Sequence, residues 1–463
     1  MLQRPRLPLW AVPASSRPSR LLPTLHLTVA FVLLFDLGIL TTFTLVLLTL
    51  PFAYFPPTRL AFLATGKATF VRVSTLMVQW FSPTELVISA GDGIDAAKLV
   101  ERAQDGRVRK VNLPTKGVWI SNHTTLADWI YLWDFAYLTE HASAIYIALK
   151  SSLRKIPIIG WAASWFGFIF LERRWASDRT PFRQQLSRIA KETNRGGQEQ
   201  KLALLIFPEG TIVTANTRGI SSKFAEKTAV SDYKHVLLPR STGLFFALRQ
   251  LAPAIPKLEL VDLTVGYPLP RQPPPADGKP VSPLYASDYY TLPSILLSHV
   301  PPPELHIHVR AFPVSSIPLG DMSTMEQNPN DEGSEEEKRV FEEWLRKRWQ
   351  EKDDLMERFR TEGTFLEQRR SKGTIETFEE DDDDERRPGE HVWPIRLRHP
   401  LEPLLAFSLF LPLLALYGIW RGRWVAAGLL LSGTKYAFGR RRGKVAASRE
   451  ACGCGKLAVK TEL

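Results

Sequence analysis

The sequence predicts an α/β protein: a mixed sheet flanked by helices, with membrane-associated helices at its N-terminal and C-terminal ends. Three observations predict it. Between about residues 85 and 315, short apolar runs alternate with helical stretches, the pattern of an α/β domain. Several of those runs end in polar and charged clusters, where α/β proteins keep reactive groups. Long apolar runs lie near both termini of a chain whose bulk composition, 44% hydrophobic and 23% charged, is that of a globular protein.

At 463 residues the chain has room for one large domain with appendages. A formal net charge of +11 suits an anionic partner: a membrane surface, nucleic acid or an anionic substrate. Cys452 and Cys454 are the only cysteines and both lie in the tail. A disulfide framework and a cysteine zinc site are therefore excluded for the core. The two read as exposed thiols, with lipidation as the alternative.

Residues 1–24 are a basic disordered tail. They carry Arg4, Arg6, Arg17 and Arg20 and no acid, but five prolines oppose an amphipathic presequence. Residues 25–84 are expected to hold a membrane anchor and an amphipathic helix. The apolar run 25–55, broken by Asp36 and Pro51, exceeds one crossing of ~20 residues and falls short of two. It is either one tilted span or two short helices. The stretch 60–81 carries Lys67 and Arg72 and reads as an interfacial helix, or as a surface helix of the domain.

The domain proper runs from 85 to 325, with strands expected at 117–121, 144–148, 166–171, 202–207, 236–238, 258–266 and 305–311. Residues 268–303 are a proline-rich insertion. Glu304, His306 and His308 share one strand face and could hold a metal; the polar face of an edge strand is the simpler reading, and no metal is expected. Residues 326–366 are a charged docking helix with Phe341, Trp344, Leu345, Leu355, Met356 and Phe359 as its apolar positions. Residues 367–400, with the charged run 379–387, form an acidic disordered linker. Residues 401–438 hold one or two C-terminal membrane segments. A basic tail, 439–463, ends in Lys460-Thr461-Glu462-Leu463, a loose match to a lumenal retrieval signal. The basic termini are expected on the cytoplasmic side; the side of the domain depends on the number of crossings.

The chemistry sits in four blocks. His123 and Asp128 are five positions apart, about 500° along an ideal helix, so they meet only if His123 precedes the helix and Asp128 lies in its first turns. Thr124 or Thr125 would cap that helix. Asp128 could then take one imidazole nitrogen and leave the other as a general base. In the second block, Gly167 to Arg174, paired arginines at a strand end suit phosphate. In the third, Phe207-Pro208-Glu209-Gly210-Thr211, Gly210 permits close backbone approach and Glu209 can fix a cation or a hydroxyl. The fourth, Leu237 to Gly243, adds Pro239 and Arg240, and Lys150 supplies a cation at another strand end. Each block alone also reads as a capped or solvated turn. Together they set His, Asp, Glu, Lys and Arg at successive strand ends of one sheet, where they could converge.

In this order the blocks resemble the glycerolipid (lysophospholipid) acyltransferase family: Asn-His-x4-Asp at 122–128, Gly-x-x-Phe-x-x-Arg at 167–173, Phe-Pro-Glu-Gly-Thr at 207–211 and a proline-bearing block at 236–240. Asp128-Trp129, the Leu-Leu-Pro-Arg-Ser-Thr-Gly block and the later Trp349, Lys352, Asp353 and Phe359 resemble its lysocardiolipin and lysophosphatidylinositol branch. The resemblance covers about 85–365 and implies an acyltransferase-type sheet. It implies His123 as general base and Asp128 as its orienter. Arg173, Glu209 and Gly210 would hold the acceptor's phosphate and glycerol, with Lys150 and Arg240 on anionic groups and Asn122, Gly167, Phe170, Thr211 and Pro239 completing the substrate-binding set. It also implies acyl-CoA as co-substrate without a resident cofactor, a lysophospholipid acceptor and a membrane setting. The endoplasmic reticulum is expected, a mitochondrial membrane being the alternative. Nucleic acid is not an expected partner, since much of the basic excess lies beside apolar segments. Ile212 departs from the basic or small polar residue that many relatives carry, which leaves acceptor preference open. A catalytically silent lipid-binding scaffold on the same fold and a hydrolase passing the acyl group to water are the competing readings.

Overall fold

The computed structural model describes residues 7–18, 21–48, 51, 55–157, 159–195, 200–272, 282–322, 332–367 and 389–407. Among them the strands are β1 (Glu85–Ala90), β2 (Val100–Arg102), β3 (Val108–Val111), β4 (Lys116–Ser121), β5 (Ile145–Lys150), β6 (Ile169–Leu171), β7 (Leu202–Ile206), β8 (Glu259–Gly266), β9 (Glu304–Pro313) and β10 (Glu390–Pro394). The helices are α1 (Leu21–Leu47), α2 (Pro56–Phe81), α3 (Asp128–Leu138), α4 (Ile159–Trp165), α5 (Trp175–Arg195), α6 (Ala215–Thr228), α7 (Ser241–Leu251), α8 (Ala286–Tyr289), α9 (Leu292–Leu296), α10 (Glu335–Glu362) and α11 (Glu402–Ala406).

One eight-stranded mixed sheet runs β10-β1-β9-β8-β4-β7-β5-β6. The stretch β8-β4-β7-β5-β6 is parallel, so its carboxyl ends share one edge. β9 is antiparallel to β8, and β1 is parallel to β9. The central strands β4 and β7 are buried at every residue, as strands covered on both faces must be. Alternation then sends Trp119, Leu205 and Val261 into one core with α2 and α3. Val118, Ile120, Leu204 and Leu260 enter a second core with α5, α7 and α10. A two-residue period thus builds two apolar layers from one continuous run.

Several expectations change. Residues 236–238 form a loop: Asp353 on α10 accepts from Val236 N–H at 3.1 Å and Ser221 Oγ accepts from Leu238 N–H at 3.2 Å, in place of a neighbouring strand. β6 begins only at Ile169, after a turn at Gly167. β9 is no edge strand: it lies between β1 and β8, and His306 and His308 are buried. His308 Nδ1 bonds Ser89 Oγ at 2.9 Å, and no metal-binding cluster occurs among the described residues. The end of the stretch read as a disordered linker forms β10, antiparallel to β1. Its apolar Val392 and Trp393 supply a strand that the acidic composition upstream obscures.

The stretch read as a disordered tail is ordered over residues 7–18, where Ala11 is buried and Arg17 donates to Tyr289 O at 2.8 Å, and α1 already opens at Leu21. α1 carries the run 25–55 as far as Leu47 as one continuous helix rather than two, and its segment Thr24–Thr44 is long and apolar enough to cross a membrane, with mean hydropathy 2.0. α2 is a helix of the domain. Lys67, expected at an interface, is buried, donates to Ile145 O at 2.8 Å and sits 3.8 Å over the Tyr146 ring. Burial pulls its pKa down to about 7. α10 docks as expected, burying Phe341, Leu345, Trp349, Met356 and Phe359. The acidic run 379–387, most of the stretch 401–438 expected to hold C-terminal membrane segments, and the tail with both cysteines lie outside the described residues.

Candidate active site

β4 ends at Ser121, and the next seven residues build the reactive pair. Asn122 buries its amide against β8, donating to Val265 O (2.9 Å) and accepting from Val265 N–H (2.8 Å). It was expected to meet substrate; both ends of its amide are instead spent locking the turn to the sheet. The helix cap also differs. Ala127 occupies the N-cap without a side-chain bond, while Thr125 Oγ1 accepts from Ala127 N–H just before it.

Asp128 opens α3 and is fully buried. Its Oδ2 accepts from Thr124 N–H (2.6 Å), Thr125 N–H (3.1 Å) and His123 Nδ1 (2.9 Å). Its Oδ1 accepts from Tyr267 OH (2.7 Å), Thr125 Oγ1 (3.0 Å) and Thr125 N–H (3.2 Å). Backbone N–H groups can only donate, so the carboxyl acts as acceptor and His123 Nδ1 carries the proton. Nε2 is then the basic nitrogen, and it has no partner among the described residues. The imidazole lies against the Phe207 ring, centroids 4.2 Å apart, and keeps 17% of its surface open. Phe207 ends the strand run beside β4, so the third block supports the base of the first.

Glu209 was expected to bind substrate. The structure buries it and turns it toward the protein: Trp349 Nε1 donates to Oε1 at 3.3 Å, and the backbone N–H groups of His123 and Leu237 face it. Burial pushes its pKa up to about 8. It ties the first, third and fourth blocks to α10. Gly210 turns with φ +71°, and Arg240 lies over it. Arg240 N–H donates to Pro208 O at 2.9 Å, which seats the fourth block on the third; Pro239 and Thr211 flank that contact half-buried.

Arg173 extends into solvent from a left-handed backbone, φ +64°. Asp178 on α5 imposes that turn by accepting from the N–H groups of Glu172 (2.7 Å) and Arg174 (3.0 Å). A non-glycine residue held in this region costs of order 1 kcal/mol or more and is worth a functional reading. Partial burial, with Arg240 nearby, lowers the Arg173 pKa. Arg173 and Arg240 thus form one cationic pair. Gly167 turns with φ +74°, a backbone that favours glycine, and its carbonyl accepts from Arg188 Nη2 at 2.8 Å. Phe170 lies beneath the Arg154 guanidinium, 5.1 Å away. Lys150 ends β5 exposed, in register with Leu171.

Sequence reasoning missed Tyr267, although it follows the last residue of an expected strand, the position at which the other blocks carry their polar groups. It missed the role of α10 as well. Lys352 Nζ donates to Asp262 Oδ1 (2.5 Å), Leu263 O (2.8 Å) and Thr264 Oγ1 (3.0 Å), fixing β8. Asp353 accepts from the N–H groups of Lys234 (2.9 Å), His235 (2.6 Å) and Val236 (3.1 Å), fixing the fourth block. A cleft of about 570 Å³ opens beside Thr124 and Tyr267, walled by Val213, Tyr285, Met356 and Phe359.

The family model described as Acyltransferase matches residues 107–267, and that described as Acyltransferase C-terminus matches 323–379. An uncharacterized acyltransferase of Schizosaccharomyces pombe is 29% identical over 82% of this chain and 92% of its own length. The 2-acyl-1-lysophosphatidylinositol acyltransferase of Saccharomyces cerevisiae is 33% identical over 55% of this chain. Lysocardiolipin acyltransferase 1 of Gallus gallus is 34% identical over 53%. The chain spans 64% and 54% of the length of these last two. The matched span contains the His123–Asp128 pair, its clamp on β8, and both Arg173 and Arg240. The chain belongs to the glycerolipid acyltransferase family of O-acyltransferase enzymes, in the branch that resembles the lysocardiolipin and lysophosphatidylinositol acyltransferases.

Proposed function

We propose that the chain transfers a fatty acyl group from acyl-CoA to a free glycerol hydroxyl of a lysophospholipid at a membrane surface. The observation that carries this is the tautomer of His123: six contacts fill the acceptor positions of Asp128 and leave Nε2 as an open base. Nε2 takes the hydroxyl proton as the oxygen attacks the thioester carbonyl. The C–S bond breaks, and the imidazolium returns the proton to the leaving thiolate. Such assistance contributes ~10²–10⁴ in rate. Asp128 holds the ring and favours its charged form.

Arg173 and Arg240 offer donors to the acceptor's phosphate. The cleft beside Thr124 falls in the size range of small-molecule sites. The names of the yeast and chicken relatives support a lysophospholipid acceptor, and the apolar α1 supports a membrane setting. We place the enzyme at the endoplasmic reticulum, a mitochondrial membrane being the alternative. The five prolines of 1–24 speak against a presequence.

The test is purified protein and His123→Ala with labelled acyl-CoA and a panel of lysophospholipids. Diacyl product from the wild type alone supports the reading. Free fatty acid without diacyl lipid would mark a hydrolase. Lipid binding without turnover on any acceptor would mark a silent scaffold.

A further inference from the structure

We propose that the knob formed by residues 150–157 and 159–165 is a second membrane-docking element, which seats the mouth of the site on an anionic lipid surface. From His141 to Leu171 the chain contains no acidic residue. Within it Lys150, Arg154 and Lys155 are exposed, and none makes an ion pair among the described residues. Beside these cations large apolar side chains face solvent: Trp161 (57% exposed), Ile159 (54%), Ile156 and Trp165. Scattered apolar exposure is ordinary; a contiguous apolar and cationic group is the signature of an interaction surface. Tryptophan with lysine and arginine beside it is the composition favoured at the headgroup level.

The knob is built to hold this shape. The 3-10 turn Ser151–Lys155 and α4 pack together only because residue 160 is glycine. A Cβ there would lie 2.3 Å from Arg154 O and 2.6 Å from Leu153 O. The exposed residues therefore stand on a fixed element.

Position selects lipid over a protein partner. The knob follows the carboxyl end of β5, two strands from the end of β4 that carries His123, about 10 Å along the sheet. Leu126, 57% exposed, stands on the same rim. Phe166, just after α4, packs on Phe70 of α2, and α2 packs along α1, the helix apolar enough to span a bilayer. A bilayer that holds α1 thus comes close to the knob, and the anionic lipid surface complements its three cations. Each cation near such a surface strengthens binding about fivefold.

This rests on the membrane reading above, and the experiment separates the two. In full-length protein with Cys452→Ser and Cys454→Ser, a single cysteine is introduced by Trp161→Cys, Leu33→Cys or Asp105→Cys and labelled with an environment-sensitive dye. The protein is reconstituted in vesicles of equal parts phosphatidylcholine and phosphatidylglycerol, with plain or acyl-chain-brominated lipid. The proposal expects severalfold quenching at 161 and at 33 and none at 105, which lies in the β2–β3 turn at the far edge. Adding Arg154→Glu and Lys155→Glu is expected to relieve quenching at 161 and leave 33 unchanged. Equal brightness at 161 in both lipids with 33 quenched overturns the docking face, and leaves it a surface for protein. Absence of quenching at 33 as well overturns the membrane reading itself and the proposal with it.

Discussion

Asp128→Asn keeps the shape of the side chain and removes its charge. The amide nitrogen can replace either oxygen, and the hydrogen bonds decide which. In place of Oδ2 it would face the N–H groups of Thr124 and Thr125, which cannot turn away, and would force the His123 proton onto Nε2. In place of Oδ1 it faces the hydroxyls of Tyr267 and Thr125, which rotate to accept, and one long contact from Thr125 N–H. The second orientation therefore wins, and Nε2 stays basic. What is lost is the attraction of the carboxylate for the imidazolium. For unit charges ~4 Å apart at an effective dielectric of about 20 this is roughly 4 kcal/mol, an upper figure because the amide dipole keeps part of it. The rate constant kcat should fall about 10²–10³-fold, with KM for both substrates changed less than about threefold. Steady-state acyl transfer from labelled acyl-CoA, run beside His123→Ala and checked for an intact melting transition, measures it. Activity as low as that of His123→Ala would refute the orientation argument. Activity within about threefold of wild type would show that the charge of Asp128 takes no part in the reaction.

Tyr267→Phe removes one charge-assisted bond and leaves the other donors in place, so it should cost about 1.5–3 kcal/mol in denaturant unfolding and less than about tenfold in kcat. Arg173→Ala and Arg173→Gly should both raise KM for the acceptor and leave that for acyl-CoA unchanged. The glycine variant should melt higher than the alanine one by about 0.5–1 kcal/mol, since only glycine is at ease at φ +64°. Lys352→Met leaves Asp262 paired with Arg310 alone and should cost about 3 kcal/mol in thermal unfolding. Glu209 has a folded pKa of about 8, raised from 4.5 by burial, so the native state holds its proton longer than the unfolded chain. Its contribution to stability is full below pH 4.5 and is lost as pH rises through 8, with a slope of up to about 1.4 kcal/mol per pH unit. Glu209→Gln should flatten the loss of stability between pH 5 and 8, and an unchanged slope in urea titrations would contradict the burial of that carboxyl.

The parts of this site that were legible in the sequence are those set by local rules. The strand before His123 could be read because Val118, Trp119 and Ile120 form an uninterrupted apolar run. The pairing of His123 with Asp128 followed from helix geometry, because the spacing allowed contact only across a strand-to-helix turn. The roles of Asn122 and Glu209 could not be read this way. A polar residue in a motif looks the same whether its partner is a substrate or a backbone group from a distant strand, and only the register of β4 against β8 brings Val265 to Asn122. β10 was hidden for a related reason: its pairing partner, β1, lies three hundred residues upstream, and composition nearby pointed to a linker.

The docking helix shows how far this extends. Its apolar positions obey a local period and were predicted, yet they explain only why it adheres to α7 and β8. Trp349, Lys352 and Asp353 fall on the same buried face and carry polar atoms that an apolar stripe would exclude. Each reaches a different part of the site: Glu209 behind His123, the end of β8 that holds Asn122 and Tyr267, and the loop that leads to Arg240. Burying three such groups is costly unless every one is matched. A helix that served only to cover the sheet would do better with leucine at all three. Their presence ties the geometry of the base and of the arginine pair to a segment more than two hundred residues downstream of His123, so α10 is part of the catalytic domain's scaffold rather than an appendage to it.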